Sequence, residues 1–191
     1  MTHPWEAPPA GIPAAIAATV AGGVPEVTTD RLLLRAPRVD DFGAYAAILM
    51  SGRGRHMGGP FDREGAWADF TQAVAGWMLR GTGVWTIARR SDGGTVGFAF
   101  LWQEFGDPEP EIGWALTEAA EGNGYATEAA RAVLALARDW LGPGRTVSYI
   151  DAANAASIRV AERLGARRDP AAEAALGDPE MTVWRHPGEV T

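Results

Sequence analysis

The chain has 191 residues, of which 47% are hydrophobic and 21% are charged, a composition typical of one globular domain with a packed core. Acidic residues outnumber basic ones by 24 to 17, and the formal charge of -7 argues against a nucleic-acid partner, which requires basic surface. Without cysteine there is no disulfide or thiolate ligand, and His3, His56 and His186 are spaced too widely to predict a metal site.

The first 27 residues are rich in proline, alanine and glycine and predict an amino-terminal arm, followed by a single domain over residues 28–187. The arm has no basic start, and its apolar residues are interrupted by glycine and proline, so we expect no signal peptide. No stretch reaches the ~20 apolar residues of a membrane span. We therefore expect a cytoplasmic protein without a membrane partner.

Apolar periodicity and turn residues predict one mixed α/β domain whose elements follow the order β-α-α-β-β-β-α-β-α-β. Strands are expected at residues 29–35, 84–89, 95–102, 111–116, 146–150 and 180–185. Helices are expected at residues 41–50, 63–78, 127–141 and 156–164, with a short helix at 14–20 in the arm. The Gly- and Arg-rich residues 51–60 predict a solvated loop, with a lid over substrate as the alternative.

The segment Glu121-Gly122-Asn123-Gly124-Tyr125-Ala126 lies between a predicted strand and a predicted helix. A helix N-terminus has unpaired N–H groups and a partial positive charge, and Gly122 and Gly124 let an anion approach the main chain. The segment is equally compatible with a structural turn. It lacks the Gly-Lys-Ser/Thr of a Walker loop, and Thr127 stands where a Rossmann fingerprint has its third glycine.

The residues Glu111-Ile112-Gly113-Trp114 and Gly122-Asn123-Gly124-Tyr125-Ala126-Thr127-Glu128-Ala129 resemble the central motif of the GNAT N-acetyltransferase superfamily. They are most similar to the branch of ribosomal-protein alanine N-acetyltransferases. Residues 29–35, 93–98 and 154–165 resemble three other segments of that branch in the right order. The resemblance covers residues 29–185 and implies a single-domain α/β fold, with a mixed sheet whose central strands splay apart.

The resemblance also implies acetyl-CoA as co-substrate, no metal, and an amine acceptor, either a protein N-terminal α-amine or a small-molecule amine. Main-chain atoms of the strand before the loop would bind the pantetheine arm, and N–H groups of the loop would bind the pyrophosphate. The implied cofactor-binding residues are Trp114, Ala115, Leu116, Gly122, Asn123, Gly124, Tyr125, Ala126, Thr127 and Asn154. Glu121 departs from the family, which usually has Gln or Arg there.

The reaction implied is direct attack of the amine on the thioester within a ternary complex. Glu111 matches a strand position where several family members carry a catalytic glutamate, so it is the candidate general base, with Glu104 as the substitute. The alternative for Glu111 is a solvated strand-end carboxylate. The resemblance suggests that Ser157 donates a hydrogen bond to the departing sulfur. Ala161 stands where many members have a tyrosine acid, so Ser157 or direct release of the thiolate takes over that work. Asn154 is also expected to cap the last helix.

Two other functions stay open from the sequence: an acyl-CoA-binding sensor or scaffold without turnover, and a structural protein whose glycine loop binds nothing. Trp102, at a strand end, is the tryptophan expected nearest the acceptor. A homodimer that pairs through terminal strands or the arm is also expected as a possible assembly.

Overall fold

A computed structural model describes residues 3–188, which form an eight-stranded mixed sheet with helices on both faces. The strands are β1 (Val27–Thr28), β2 (Leu32–Arg35), β3 (Gly83–Arg89), β4 (Thr95–Trp102), β5 (Glu111–Leu116), β6 (Val147–Asp151), β7 (Arg167–Arg168) and β8 (Met181–Arg185). The helices are α1 (Gly11–Ala21), α2 (Phe42–Leu49), α3 (Arg63–Arg80), α4 (Tyr125–Leu141), α5 (Ala155–Arg163) and α6 (Pro170–Leu176). The strand order is β1-β2-β3-β4-β5-β6-β8-β7.

The core has two layers, one on each face of the sheet, because neighbouring residues of a strand point to opposite faces. On β4, Phe98 and Phe100 pack with Tyr45 of α2 and Phe70 of α3. Ala99 and Leu101 pack on the other face, against α4. Both faces of β3 and β4 are therefore buried, and these strands form the rigid centre of the domain.

Helix α4 packs closely on its face of the sheet through small side chains. Its buried residues are Ala126, Ala129, Ala130, Val133, Leu134 and Ala137. Alanine keeps the helix axis near the sheet at no cost in side-chain entropy. This contact fixes the direction in which the N-terminus of α4 points.

Strands β5 and β6 are the only parallel neighbours in the described sheet, and they share a single residue pair, Glu111 with Val147. Beyond that pair the strands diverge. At the point of divergence the Ser148 hydroxyl donates to the carbonyl oxygen of Ile112 and contacts His186 Nε2 at 2.9 Å. Burial, with a smaller effect of the Arg138 charge, lowers the pKa of His186 to about 4, so this ring is neutral. The expected splay of the central strands is confirmed.

Two hydrogen-bonding contacts attach the arm to the domain, and Val24 packs into the core. Buried Glu6 accepts two hydrogen bonds from the Arg63 guanidinium, at 2.6 and 2.7 Å. Farther along, the indole N–H of Trp85 donates to Pro25 O at 2.7 Å. Residues 1 and 2 of the predicted arm lie outside the described residues, and the boundary after residue 27 stays a prediction.

The order and type of the predicted elements are confirmed, and the differences are short elements or ends. Helix α4 begins at Tyr125, two residues before the prediction, because Gly124 takes the N-cap position. The short strands β1 and β7 and the helix α6 were not predicted. No helix in the range 3–188 is long and apolar enough to cross a membrane, and the cytoplasmic location stays a prediction.

Candidate active site

The divergence of β5 and β6 opens a groove of about 1570 Å³. It extends from the N-terminus of α4, past the separated strands, to the turn between β4 and β5. Ten of the predicted site residues line it: Glu111, Trp114, Ala115, Leu116, Gly122, Gly124, Ala126, Thr127, Asn154 and Ser157. The fold therefore gathers two segments that the sequence separates, the central motif and the last helix.

The glycine loop, residues 121–126, directs main-chain donors into one end of this groove. Gly122 and Gly124 both have φ of +77°, a left-handed conformation that favours glycine. Gly124 is the N-cap of α4 and no side chain caps it. The N–H groups of residues 122–127 have no acceptor among the described residues. They are donors available to an anion, since the helix dipole adds positive potential at the same place.

Two residues of the loop direct their side chains away from the groove. Asn123 Nδ2 donates to Ala120 O at 3.2 Å and to Glu121 O at 3.0 Å. The ring of Tyr125 lies under the Arg31 guanidinium, 4.8 Å from its carbon to the ring centroid. These side chains hold the loop in shape, so only their main-chain N–H groups are available for the predicted role in cofactor binding.

The segment 51–60, which we call the strap, joins α2 to α3 and contacts both walls of the groove. On the α4 side, Arg53 Nε donates to Glu121 Oε1 at 2.8 Å. On the β6 side, His56 Nδ1 lies 2.5 Å from Asp151 Oδ2. Arg53, Arg55, His56, Met57 and Gly58 all line the groove. The strap is therefore a loop anchored at two points, although Gly52, Arg55, Gly58 and Pro60 are exposed as expected of a solvated segment.

At the other end of the groove lies Glu111, the first residue of β5. Trp102 Nε1 donates a hydrogen bond to Glu111 Oε2 at 3.3 Å. Burial, together with the charges of Asp107 and Glu104, raises the pKa of Glu111 to about 8. About a tenth of a carboxyl group with this pKa is ionised at pH 7, and that ionised form is a stronger base than a solvated carboxylate.

Three further carboxyl groups surround this end of the groove: Asp69 of α3, and Glu104 and Asp107 of the β4–β5 turn. Partial burial and the charges of Asp107 and Asp69 raise the pKa of Glu104 to about 7. The buried Tyr45 hydroxyl donates to Asp69 Oδ1 at 2.5 Å, which orients that carboxylate. The sequence analysis did not single out Asp69. Aspartate is a poor helix former, so its presence within an amphipathic helix is a weak signal of a functional role.

Helix α5 brings Asn154 and Ser157 to the same groove. Asn154 Oδ1 accepts from the Ser157 N–H at 3.1 Å, so the predicted N-cap is confirmed. The Ser157 hydroxyl has no partner among residues 3–188 and lines the groove. Ala161 is fully buried beside Ile150 and Ala166 and provides no group to the groove. Within the described range, no three histidine or carboxylate side chains come together as a metal site would require.

Comparison with known proteins agrees with this geometry. Residues 31–167 match the family model described as an acetyltransferase (GNAT) domain. A solved acetyltransferase from Agrobacterium tumefaciens is 37% identical, with a TM-score of 0.79, over 85% of this chain and 94% of that chain. The uncharacterized N-acetyltransferase YnaD of Bacillus subtilis is 29% identical over 83 residues, which are 44% of this chain. That match spans about half, 49%, of the curated relative.

Ribosomal-protein acetyltransferases are also similar in structure. The ribosomal-protein-S5-alanine acetyltransferase of Vibrio fischeri is 14% identical, with a TM-score of 0.60, over 86% of this chain and 97% of that chain. At this identity the likeness shows the fold alone. Membership of that branch therefore stays a prediction.

Proposed function

This chain belongs to the GNAT acetyltransferase family, and from that premise we propose that it transfers the acetyl group of acetyl-CoA to a primary amine. One observation carries the proposal. A single groove joins free main-chain donors at the N-terminus of α4 to a carboxyl group, Glu111, whose pKa is raised to about 8. The first feature suits a pyrophosphate and the second suits an amine that must lose a proton.

Acetyl-CoA supplies an activated acetyl thioester. Different residues of the groove match its pyrophosphate and its pantetheine arm. The N–H groups of residues 122–127 receive the pyrophosphate. The edge of β5 that faces β6 is left without strand pairing after Glu111, so the main chain of residues 114–116 is available to the pantetheine amides. Asn154, at the start of α5, lies on the opposite wall. This arrangement directs the thioester toward the point where the strands separate.

The acceptor must be a neutral amine when it attacks. By reference values, an α-amine has a pKa of about 8 and roughly a tenth of it is neutral at pH 7. Glu111 has nearly the same pKa, about 8, so a proton passes between the two groups at little cost in free energy. The nearby carboxylates of Asp69 and Asp107 attract the ammonium form to this end of the groove.

In the chemical step, the amine nitrogen forms a bond to the acetyl carbon and the carbon–sulfur bond breaks. Glu111 receives the amine proton, directly or through water. The thiolate leaves, and the Ser157 hydroxyl stabilises it by donating a hydrogen bond. No covalent enzyme intermediate is needed, because both substrates lie in one groove and proximity lowers the barrier. The acceptor is a protein N-terminal α-amine or a small-molecule amine.

Release of free thiol from acetyl-CoA in the presence of a panel of amines tests this function. The panel contains peptides with free N-termini, the same peptides with blocked N-termini, and small primary amines. We expect thiol release that depends on a free amine. Thermal stabilisation by CoA without amine-dependent release would instead indicate a sensor or scaffold. Absence of both would leave only a structural role.

A further inference from the structure

The start of the glycine loop contains an electrostatic conflict. Glu121 lies beside the N–H groups that receive the pyrophosphate in the function proposed above, on which this inference rests. A carboxylate next to a bound anion opposes its binding. The fold brings a compensating cation from a distant segment, since Arg53 and Glu121 are 68 residues apart in sequence.

The contacts of Arg53 leave part of its guanidinium free. Nε donates to Glu121 Oε1 at 2.8 Å, and Nη2 lies 3.4 Å from Glu118 Oε1. Nη1 has no partner among the residues that the structure describes. A guanidinium has five N–H donors in a fixed plane, so one edge can bind a carboxylate while another binds a second anion.

The strap holds Arg53 in this place. Gly54 is buried, and its N–H donates to Ser51 O at 3.0 Å. The Gly59 N–H returns to Gly54 O at 2.8 Å. At the other side of the strap, His56 forms a hydrogen bond with Asp151 of β6. The segment that carries Arg53 is therefore held from both directions, and the Arg53 side chain, 31% exposed, lines the groove.

We propose that Arg53 is a cofactor-binding residue that contacts the pyrophosphate of CoA, and that Glu121 orients it for that contact. Glu121 then positions the Arg53 guanidinium through their ion pair, and its charge is neutralised there and does not repel the pyrophosphate. The strap thereby becomes part of the cofactor site, although it lies outside the central motif.

The test is a double-mutant cycle on Arg53 and Glu121, with the dissociation constant of CoA measured by calorimetry. Arg53→Ala should weaken CoA binding by about tenfold or more, the usual effect of losing a charge-assisted hydrogen bond. A smaller but still measurable loss should appear when Arg53→Ala is made in the Glu121→Gln background, because Arg53 there lacks the carboxylate that orients it. If Glu121→Gln restores the CoA affinity of Arg53→Ala, Arg53 only neutralises Glu121 and the inference is wrong.

Arg80→Ala is the control, because it removes the same charge from an exposed position at the end of α3, outside the groove. It should change CoA affinity by less than about threefold, the part due to general charge. Acetyl-pantetheine, which lacks the pyrophosphate, should be used equally well by the wild type and Arg53→Ala. Equal CoA affinity of the wild type and Arg53→Ala overturns the inference alone. Failure of the wild type to bind CoA overturns the proposed function as well.

Discussion

The two ends of the groove are built from different parts of the chain and differ in their chemistry. The cofactor end is a contiguous loop, residues 121–127, whose functional groups are main-chain N–H donors. The acceptor end combines side chains of α3, the β4–β5 turn and β5, and its functional groups are carboxylates. The first end takes its function from backbone conformation, and the second from the burial of charge.

This difference determines how each end affects folding. When burial raises the pKa of a carboxyl group, the free energy of unfolding falls as the pH rises above the ordinary pKa of that group. Free donors at a helix N-terminus remain exposed to water and cost little. Ionisation of the buried carboxyl groups at the acceptor end therefore lowers the stability of the fold. The stability of the cofactor end depends mainly on the conformation of two glycines.

The largest expected effect is on turnover, at the acceptor end. Glu111→Gln should lower kcat by about 100-fold or more, the usual contribution of a general base, and leave the CoA dissociation constant within twofold. Because the base must be ionised, wild-type kcat should rise with pH through about 8, the pKa of Glu111. The ratio of wild-type to variant kcat, measured from pH 6 to 9, should follow that single ionisation.

Glu104→Gln is the control for this assignment, since Glu104 lies in the same acidic group with a pKa of about 7. It should lower kcat by less than about tenfold, through the loss of one charge near the acceptor. An equal or larger loss than in Glu111→Gln would transfer the role of base to Glu104. A ratio that stays constant across the pH range would exclude Glu111.

The next effect is on stability, and it should have opposite signs at the two ends. The folded-state pKa of Glu111, about 8, lies above its ordinary value of 4.5, so stability is lost as pH rises from 4.5 through 8. Glu111→Gln should therefore increase the free energy of unfolding at pH 9 by on the order of 3 kcal/mol, and change it little at pH 4.5. Urea unfolding at the two pH values measures this.

Glu128→Gln, on α4 at the cofactor end, makes the same chemical change in the opposite setting. Burial acts to raise the pKa of Glu128, but hydrogen bonds from Thr29 and Arg31 at 2.6 to 2.9 Å lower it. The stabilisation is present above pH 4.5 and is lost as pH falls through the folded-state pKa. Glu128→Gln should thus lower the unfolding free energy at pH 7 by about 1–2 kcal/mol. Equal signs for the two variants would contradict the comparison.

The smallest effect concerns backbone conformation. Gly124→Ala should destabilise the fold by about 1–2 kcal/mol, because alanine is strained at a φ of +77°. Gly43→Ala, in α2, should instead be neutral or stabilising by up to about 1 kcal/mol, since a Cβ there meets nothing within 4 Å. Thermal unfolding of both variants measures this. A Gly124→Ala variant as stable as the wild type would show that the loop does not require its left-handed conformation.

The conformation of the glycine loop could be predicted from the sequence because its determinants are local, whereas its role in cofactor binding is implied by the resemblance to the family and stays a prediction. Glycines at 122 and 124, a strand before them and a helix after them are all contiguous features. The same holds for Asn154, whose capping of α5 depends only on its distance from Ser157. Local spacing determines these contacts, so no knowledge of the rest of the fold was needed.

The acceptor end could be predicted only in part: the sequence indicated Glu111, Glu104 and Trp102 but neither Asp69 nor the contacts of the strap. Asp69 reads as an ordinary polar residue of an amphipathic helix, and its contact with Tyr45 depends on how α2 and α3 cross the sheet. Likewise, the pairing of Arg53 with Glu121 follows from the path of the strap over the groove. The short elements β1, β7 and α6 were not predicted, because each has too few residues to show a hydrophobic periodicity.

The divergence of β5 from β6 also leaves unpaired strand edges in the middle of the sheet, and such edges favour aggregation. A sheet that opens in its middle has two inner edges in addition to its two outer ones, and unpaired edges attract strands of other chains. Here the strap crosses the opening and is bonded to both sides, through Glu121 and Asp151. The strap spans the opening at these two contacts and leaves the edge of β5 after Glu111 open to a ligand. Detaching the strap would therefore widen the access of other chains to the inner edges.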